Sequence, residues 1–142
     1  MRSLLDVNIL IALLDSDHTL HTQAIEWFAR NAGDGWSSCP ITQNGCVRIM
    51  CHPGYPNALP AHAVIESLRA ATSEPQHEFW PDNITVTDAK TVDAKRMHGP
   101  RQLTDIYLLA LAVRNNGRLV TFDSSIALEA ARGARDKHLL KL

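Results

Sequence analysis

The sequence predicts an α/β fold in which a mostly parallel sheet lies between two layers of helices, a three-layer α/β/α sandwich. One observation behind this prediction is that apolar segments of strand length alternate along the chain with segments of helical periodicity. Such alternation implies right-handed βαβ crossovers and a parallel sheet. A second observation is that 142 residues without a repeat, linker or low-complexity segment fit a single domain, 1–142.

The first half of the chain predicts two short strands and four helices. Asp6 lies at a strand-to-helix turn, because it follows the buried pair Leu4-Leu5 and precedes apolar residues at helical spacing. The glycines of Gly33-Asp34-Gly35 end the second helix, and Pro60 is well placed as the first residue of the fourth. The predicted elements are a strand at Leu4-Leu5, a helix over 7–14, a helix over 20–28, a strand at Trp36–Ser38, a helix from Pro40 to about Met50, a loop over 51–57 and a helix from Pro60.

The second half continues the alternation of strands and helices. Thr87-Asp88 caps a helix that ends near His98-Gly99-Pro100, because proline disfavours helical geometry in the residue before it. Gly117 closes the C-terminal end of another helix, over Ile106–Asn115. The remaining predicted elements are a short strand at Phe79-Trp80, a strand at Leu119–Phe122 that ends in Asp123, a helix over Ser125–Arg132 and a last strand near His138–Leu140.

Composition excludes several classes of protein. With 14 basic and 15 acidic side chains, the chain lacks the bulk positive charge of many nucleic-acid-binding proteins, although a local basic rim remains open. The three cysteines show no CxxC pair of the kind found in zinc sites. The longest apolar run, Ile106–Val113, is far shorter than the roughly 20 residues that span a bilayer, and Asp6 and Asn8 interrupt the leader-like N-terminal segment. We therefore expect a soluble, cytoplasmic protein.

Three aspartates are the residues most able to carry chemistry. Asp6 and Asp123 each follow a predicted strand, and parallel strands end at the same edge of a sheet, where functional groups collect. Asp105 begins a helix that is apolar on every face and must be buried. A carboxylate in that setting needs a compensating partner. Each aspartate alone is also an ordinary helix cap or turn residue, so the prediction rests on the trio.

Three carboxylates in one crevice favour a hard divalent cation. Their mutual repulsion would raise the pKa of each, and a bound Mg²⁺ or Mn²⁺ reverses that penalty. Such ions prefer oxygen ligands, and one or two of them can activate water and polarise a phosphodiester. The residues therefore predict a Mg²⁺- or Mn²⁺-dependent hydrolase acting on phosphodiester bonds.

The sequence resembles the PIN-domain ribonucleases in four blocks that occur in the family's order. The blocks are Leu4-Leu5-Asp6-Val7-Asn8-Ile9-Leu10, Pro40-Ile41-Thr42-Gln43-Asn44-Gly45-Cys46-Val47-Arg48-Ile49, Thr104-Asp105-Ile106-Tyr107-Leu108-Leu109-Ala110 and Val120-Thr121-Phe122-Asp123. The second block and the overall length are similar to the VapC-type toxins in particular. The resemblance implies an α/β/α sandwich, metal-dependent RNA cleavage, a homodimer and inhibition by a cognate antitoxin.

The second block departs from the family's pattern, which usually has a glutamate where this chain has Gln43. An amide carbonyl can still coordinate a hard cation, but it attracts the cation less than a carboxylate does and cannot act as a base. We therefore expect Gln43 to belong to the site and to weaken its affinity for metal. A solvent-facing helix residue is the plainer alternative.

Further site residues are expected around the trio. Asn8 and Thr104 can orient a neighbouring aspartate, and the position of Thr121 often contributes to the site of the family it resembles. The residues predicted to contact the RNA backbone are Arg48, Arg96 and Arg101. Capping residues and solvated helix ends are the alternative interpretations of these two groups.

Two other functions compete with the ribonuclease hypothesis. A weakened metal site at Gln43 would leave a weakly active or inactive PIN domain that binds RNA or an antitoxin. A phosphoacceptor receiver domain shares the predicted architecture. Such a domain requires adjacent acidic residues after its first strand, whereas Asp6 stands alone here. It also requires a lysine after a later strand, whereas Ser124 follows Asp123 here.

Overall fold

A single sheet of five parallel strands, in the spatial order β3-β2-β1-β4-β5, forms the centre of the molecule. The computed structural model describes every residue from Met1 to Leu142. The strands are β1 (Ser3–Leu5), β2 (Trp36–Ser38), β3 (His77–Phe79), β4 (Arg118–Thr121) and β5 (Leu139–Lys141). The helices are α1 (Val7–Leu14), α2 (His21–Asn31), α3 (Pro40–Met50), α4 (Ala61–Thr72) and α5 (Leu103–Arg114).

Two hydrophobic cores cover the two faces of the sheet. Leu4 and Leu5 point to opposite faces, because side chains alternate along a strand. Leu4 packs with the buried residues of α5, whereas Leu5 and Val120 pack with residues of α1, α2, α3 and α4. Every residue of α5 from Ile106 to Ala112 is buried, as its uninterrupted apolar run predicts. The predicted α/β/α sandwich with a parallel sheet is therefore confirmed.

Two predicted helices are wrong, and they fail for one reason. The segments 87–98 and 125–132 consist mostly of turns and irregular chain, and an isolated antiparallel bridge between Val92 and Ala131 joins them. The amide of Asp93 donates to the carbonyl of Ala130 at 2.8 Å, and the amide of Arg132 donates to that of Thr91 at 3.0 Å. Only single turns of 3₁₀ helix remain, at Ala94–Arg96 and Leu128–Ala130. A pairing between such distant segments leaves no signal in local periodicity.

Smaller corrections concern the ends of elements. The third strand is His77–Phe79 rather than Phe79-Trp80, and the last strand reaches Lys141. After α5 the left-handed residue is Asn116, with φ 54°, and not Gly117. Gly117 is needed for a different reason: a Cβ there would lie 2.6 Å from the ring of Trp80. No helix in the structure combines the length and the apolar character required to cross a bilayer.

Candidate active site

The site lies at the carboxyl edge of the sheet, between β1 and β4. These two strands are neighbours, and the strand order runs in opposite directions on either side of them. Asp6 follows β1 directly, and Asp123 comes two residues after β4. Such a switch in strand order opens a crevice in α/β sheets, where ligands bind. The predicted meeting of the two strand ends is therefore present in the fold.

Asp6 is a buried carboxylate, with 6% of its surface exposed. It begins α1, and its Oδ1 accepts a hydrogen bond from the amide of Val7 at 2.7 Å. Its Oδ2 accepts from the hydroxyl of Thr121 at 2.6 Å. Burial raises the pKa of Asp6, and the charge of Asp123 raises it further, while the two hydrogen bonds oppose the rise. Helix capping explains only one of its oxygens.

Thr121 connects the residues around this crevice. Its side chain is fully buried, and its hydroxyl donates to Asp6 while accepting from the amide of Asp123 at 3.0 Å. The amide nitrogen of Asn8 lies 3.5 Å from the same hydroxyl oxygen. Because the Thr121 proton is already given to Asp6, that oxygen can only accept from Asn8. The Asn8 Oδ1 is then left buried without a hydrogen-bond partner.

Asp105 lies in the first turn of α5, where it is partly buried. Burial, the charges of Asp6 and Asp123 and a hydrogen bond with Asp123 together raise the pKa of Asp105 to about 6, and burial has the largest effect. Asp105 therefore shares one electrostatic environment with both other aspartates. The structure brings the predicted trio close enough for the charges of all three to interact.

Asp123 is held in its ionised form by the loop that follows it. The amide and the hydroxyl of Ser125 both donate to its Oδ1 at 2.7 Å. These hydrogen bonds lower the pKa of Asp123, the hydrogen bond from Asp105 contributes, and the charge of Lys141 adds a further lowering. The trio thus contains one carboxylate that is stabilised as an anion and two that resist ionisation.

The oxygen donors around the crevice fit a hard divalent cation. Two carboxylates with raised pKa values and a buried Asn8 Oδ1 that lacks a partner are groups that such an ion would satisfy. In the structure no three acidic, histidine or cysteine side chains are arranged closely enough to hold an ion among them. Asp6, Asp105 and Asp123 are the residues that would hold such an ion, with the Asn8 Oδ1 as a further oxygen.

Gln43 lies one strand away from Asp6. Its amide nitrogen donates to the hydroxyl of Ser38 at 2.9 Å, and that hydroxyl lies 2.8 Å from Nε2 of His77. The side chain lines a groove between α3 and α4 and makes no hydrogen bond with the three aspartates. Two residues further along α3, Gly45 packs against Val7, the neighbour of Asp6. Gln43 is therefore hydrogen-bonded to Ser38 rather than to any of the three aspartates.

The other predicted residues make no side-chain hydrogen bond or ion pair with the three aspartates. Thr104 is exposed and makes no side-chain hydrogen bond. Arg101 is exposed and unpaired just before α5, whereas Arg96 lies 3.5 Å from the carboxylate of Asp93. Arg48 is exposed on α3 and lines the same groove as Gln43.

Three residues near the crevice have no signal in the sequence. Ser125 fixes Asp123, and Gln102 donates to the carbonyl of Ser125, which ties the start of α5 to the loop after β4. Lys141 donates to the carbonyl of Ser124 at 2.7 Å. Gln102 and Lys141 act through contacts between segments that are apart in sequence, whereas Ser125 contacts Asp123 within one short turn. Lys141 lies just beyond the predicted last strand.

The sheet order and the acidic crevice define a class of protein, and comparison with known families agrees. Residues 3–132 match the PIN domain, so the chain belongs to the PIN-domain family. Ribonuclease VapC44 of Mycobacterium tuberculosis is 50% identical over 142 residues, which cover 100% of both chains. Ribonuclease VapC39 of the same organism is 40% identical over 94% of this chain and 96% of its own. Within the family, the chain is a VapC-type toxin, as the second sequence block and the overall length predict.

The fold also matches a solved structure. The crystal structure of VapBC2 from Rickettsia felis bound to a DNA fragment from their promoter contains a chain that superposes with a TM-score of 0.53. The match covers 87% of this chain and 89% of that chain, at 14% sequence identity. At this identity the likeness shows the fold alone.

Proposed function

We propose that the protein is a Mg²⁺- or Mn²⁺-dependent endoribonuclease toxin that hydrolyses phosphodiester bonds in RNA. The observation that carries this proposal is the shared electrostatic environment of Asp6, Asp105 and Asp123 at the switch in strand order. The relatives named as ribonucleases support the choice of RNA as substrate. The proposal extends to a cytoplasmic homodimer neutralised by a cognate antitoxin, as expected for VapC-type proteins.

In this proposal the three aspartates bind the ion and the polar residues around them fix their positions. A bound Mg²⁺ or Mn²⁺ would polarise the phosphodiester and lower the pKa of the attacking water. Thr121 holds the Oδ2 of Asp6 and the backbone of Asp123 in one arrangement, so it couples β1 to β4. Ser125 keeps Asp123 anionic, and Asn8 offers a further oxygen. Gln43 completes the proposed site as an uncharged amide.

Cleavage of RNA by the purified protein tests the proposal. We expect Mn²⁺ to support cleavage, EDTA to abolish it, and Asp6→Asn to reduce it by at least a hundredfold, because a ligand and a charge are lost together. Asp34→Asn is the matched control, since Asp34 is exposed in the turn before β2, at the opposite edge of the sheet. Cleavage that persists in Asp6→Asn would refute the assignment.

A second candidate function is a weakly active or inactive domain that binds RNA or an antitoxin. Glutamine at position 43 favours this second function, because the crevice has one acid fewer than the pattern that the family usually shows. The Gln43 side chain is hydrogen-bonded to Ser38 and not to the three carboxylates. RNA binding without any Asp6-dependent cleavage in Mn²⁺ would establish this function in place of the first.

A further inference from the structure

A cation lies at the edge of the acidic crevice. Lys141, on β5, is the hydrogen-bonding register partner of Thr121 on β4. Its ammonium donates to the carbonyl of Ser124, next to Asp123, at 2.7 Å. An ammonium has three N–H donors, so two remain after this contact. No carboxylate forms an ion pair with Lys141, and its side chain is exposed to solvent.

The three aspartates create a difficulty for any polyanion that approaches them. A phosphodiester brings another negative charge to a crevice where burial and the charges of Asp6 and Asp123 already raise the pKa of Asp105. Among the groups that shift the pKa values of the trio, Lys141 is the one cation. A lysine here attracts a phosphate without adding bulk at the carboxylates.

The position of Lys141 also distinguishes it from the other lysine near this strand. Lys137 lies in the turn that precedes β5, and β5 runs parallel to the other strands. Lys137 is therefore at the amino edge of the sheet and Lys141 at the carboxyl edge, with the crevice. The two exposed lysines carry the same charge at opposite ends of one strand.

We propose that Lys141 binds a phosphate of single-stranded RNA beside Asp123, while its bond to Ser124 keeps the loop 123–125 in place. This inference rests on the proposed ribonuclease function and adds a substrate-binding residue to it. The Lys141 ammonium contributes charge, and Ser124 fixes where that charge lies. The contact does not depend on a bound metal ion.

Salt-dependent RNA binding in EDTA tests this assignment without cleavage. The probe is a fluorescein-labelled single-stranded RNA, and its Kd is measured by anisotropy at several NaCl concentrations. One phosphate contact contributes about 0.7 to the slope of log K against log salt for single strands. We expect Lys141→Gln and Lys141→Met to make the salt dependence shallower, with the magnitude of the slope reduced by about 0.7, and to weaken binding about fourfold at ~0.15 M salt. Lys141→Arg should retain the wild-type slope.

Lys137→Met is the matched control and should leave the slope unchanged. An unchanged slope in both neutral Lys141 variants overturns the assignment, as does an equal fall in Lys137→Met, which would indicate bulk charge alone. A wild-type protein that does not bind the probe in EDTA also overturns it. Wild-type cleavage in Mn²⁺ is measured in parallel and separates the two proposals. If the wild type cleaves RNA but the slope of the neutral Lys141 variants is unchanged, only the role of Lys141 is refuted. If the wild type does not cleave RNA, the ribonuclease function is refuted.

Discussion

Replacing Asp105 by asparagine should stabilise the metal-free protein at neutral pH. Asp105 has a folded-state pKa of about 6 against an ordinary value of 3.8. The folded state therefore holds a proton more tightly than the unfolded state, and stability falls as the pH rises from about 4 to about 6. Above pH 6 the carboxylate is charged in both states, and the folded protein carries the full penalty.

The magnitude follows from the same pKa difference. Roughly 2 pH units correspond to about 3 kcal/mol, which screening by solvent reduces to about 1.5 kcal/mol for a partly exposed group. Asparagine also loses the attraction of a carboxylate to the N-terminus of α5, worth about 0.5 kcal/mol. We therefore expect Asp105→Asn to unfold with a free energy about 1 kcal/mol higher than the wild type at pH 7.5.

Urea unfolding in EDTA at several pH values measures this difference. The gain should vanish near pH 4, where Asp105 is protonated in the folded wild type. Mn²⁺ should reverse the order at pH 7.5, because the ion binds the wild type and stabilises it by mass action. Asp136→Asn, at an exposed aspartate before β5, is the control and should show neither effect. Equal or lower stability of Asp105→Asn in EDTA at pH 7.5 would show that the crevice is not electrostatically strained.

The other predictions concern the groups that orient the trio. Thr121→Val removes the donor to Asp6, so we expect a loss of about 1–3 kcal/mol of unfolding free energy in urea denaturation and a loss of cleavage; an equally stable, active variant would contradict the role of Thr121. Ser125→Ala should raise the pKa of Asp123 and weaken Mn²⁺ binding about tenfold in calorimetry, and unchanged affinity would exclude Ser125. Gln43→Glu should tighten Mn²⁺ binding and raise activity by adding a charge near the crevice, whereas an unchanged affinity and rate would remove Gln43 from the site.

The sequence predicted the parts of the molecule that depend on local pattern. The apolar pair before Asp6 and the apolar strand before Asp123 placed both carboxylates at strand ends, and parallel strands end at one edge. The uninterrupted apolar run after Asp105 indicated a buried helix. Asp6, Asp105 and Asp123 could therefore be selected without coordinates.

What the sequence did not predict depends on pairing between distant segments. Two helices were predicted from capping residues, but the structure has an antiparallel bridge between Val92 and Ala131 in their place. The backbone amides next to this bridge donate to the opposite segment instead of to a helix. Lys141 reaches the crevice only because β5 pairs with β4. Ser125 is a local contact, which binds Asp123 within the turn 123–125. The position of Gln43 was predicted from its sequence block, but its hydrogen bond to Ser38 could not be predicted from that block.

The bond between Thr121 and Asp6 joins residues 115 positions apart, so the arrangement of the crevice requires that β1 and β4 have paired. During synthesis β1 emerges well before β4, its neighbour in the centre of the sheet. Closing so long a loop is entropically costly, which favours slow, all-or-none maturation. A chain truncated before residue 118 lacks both Thr121 and Asp123, so it cannot form the crevice.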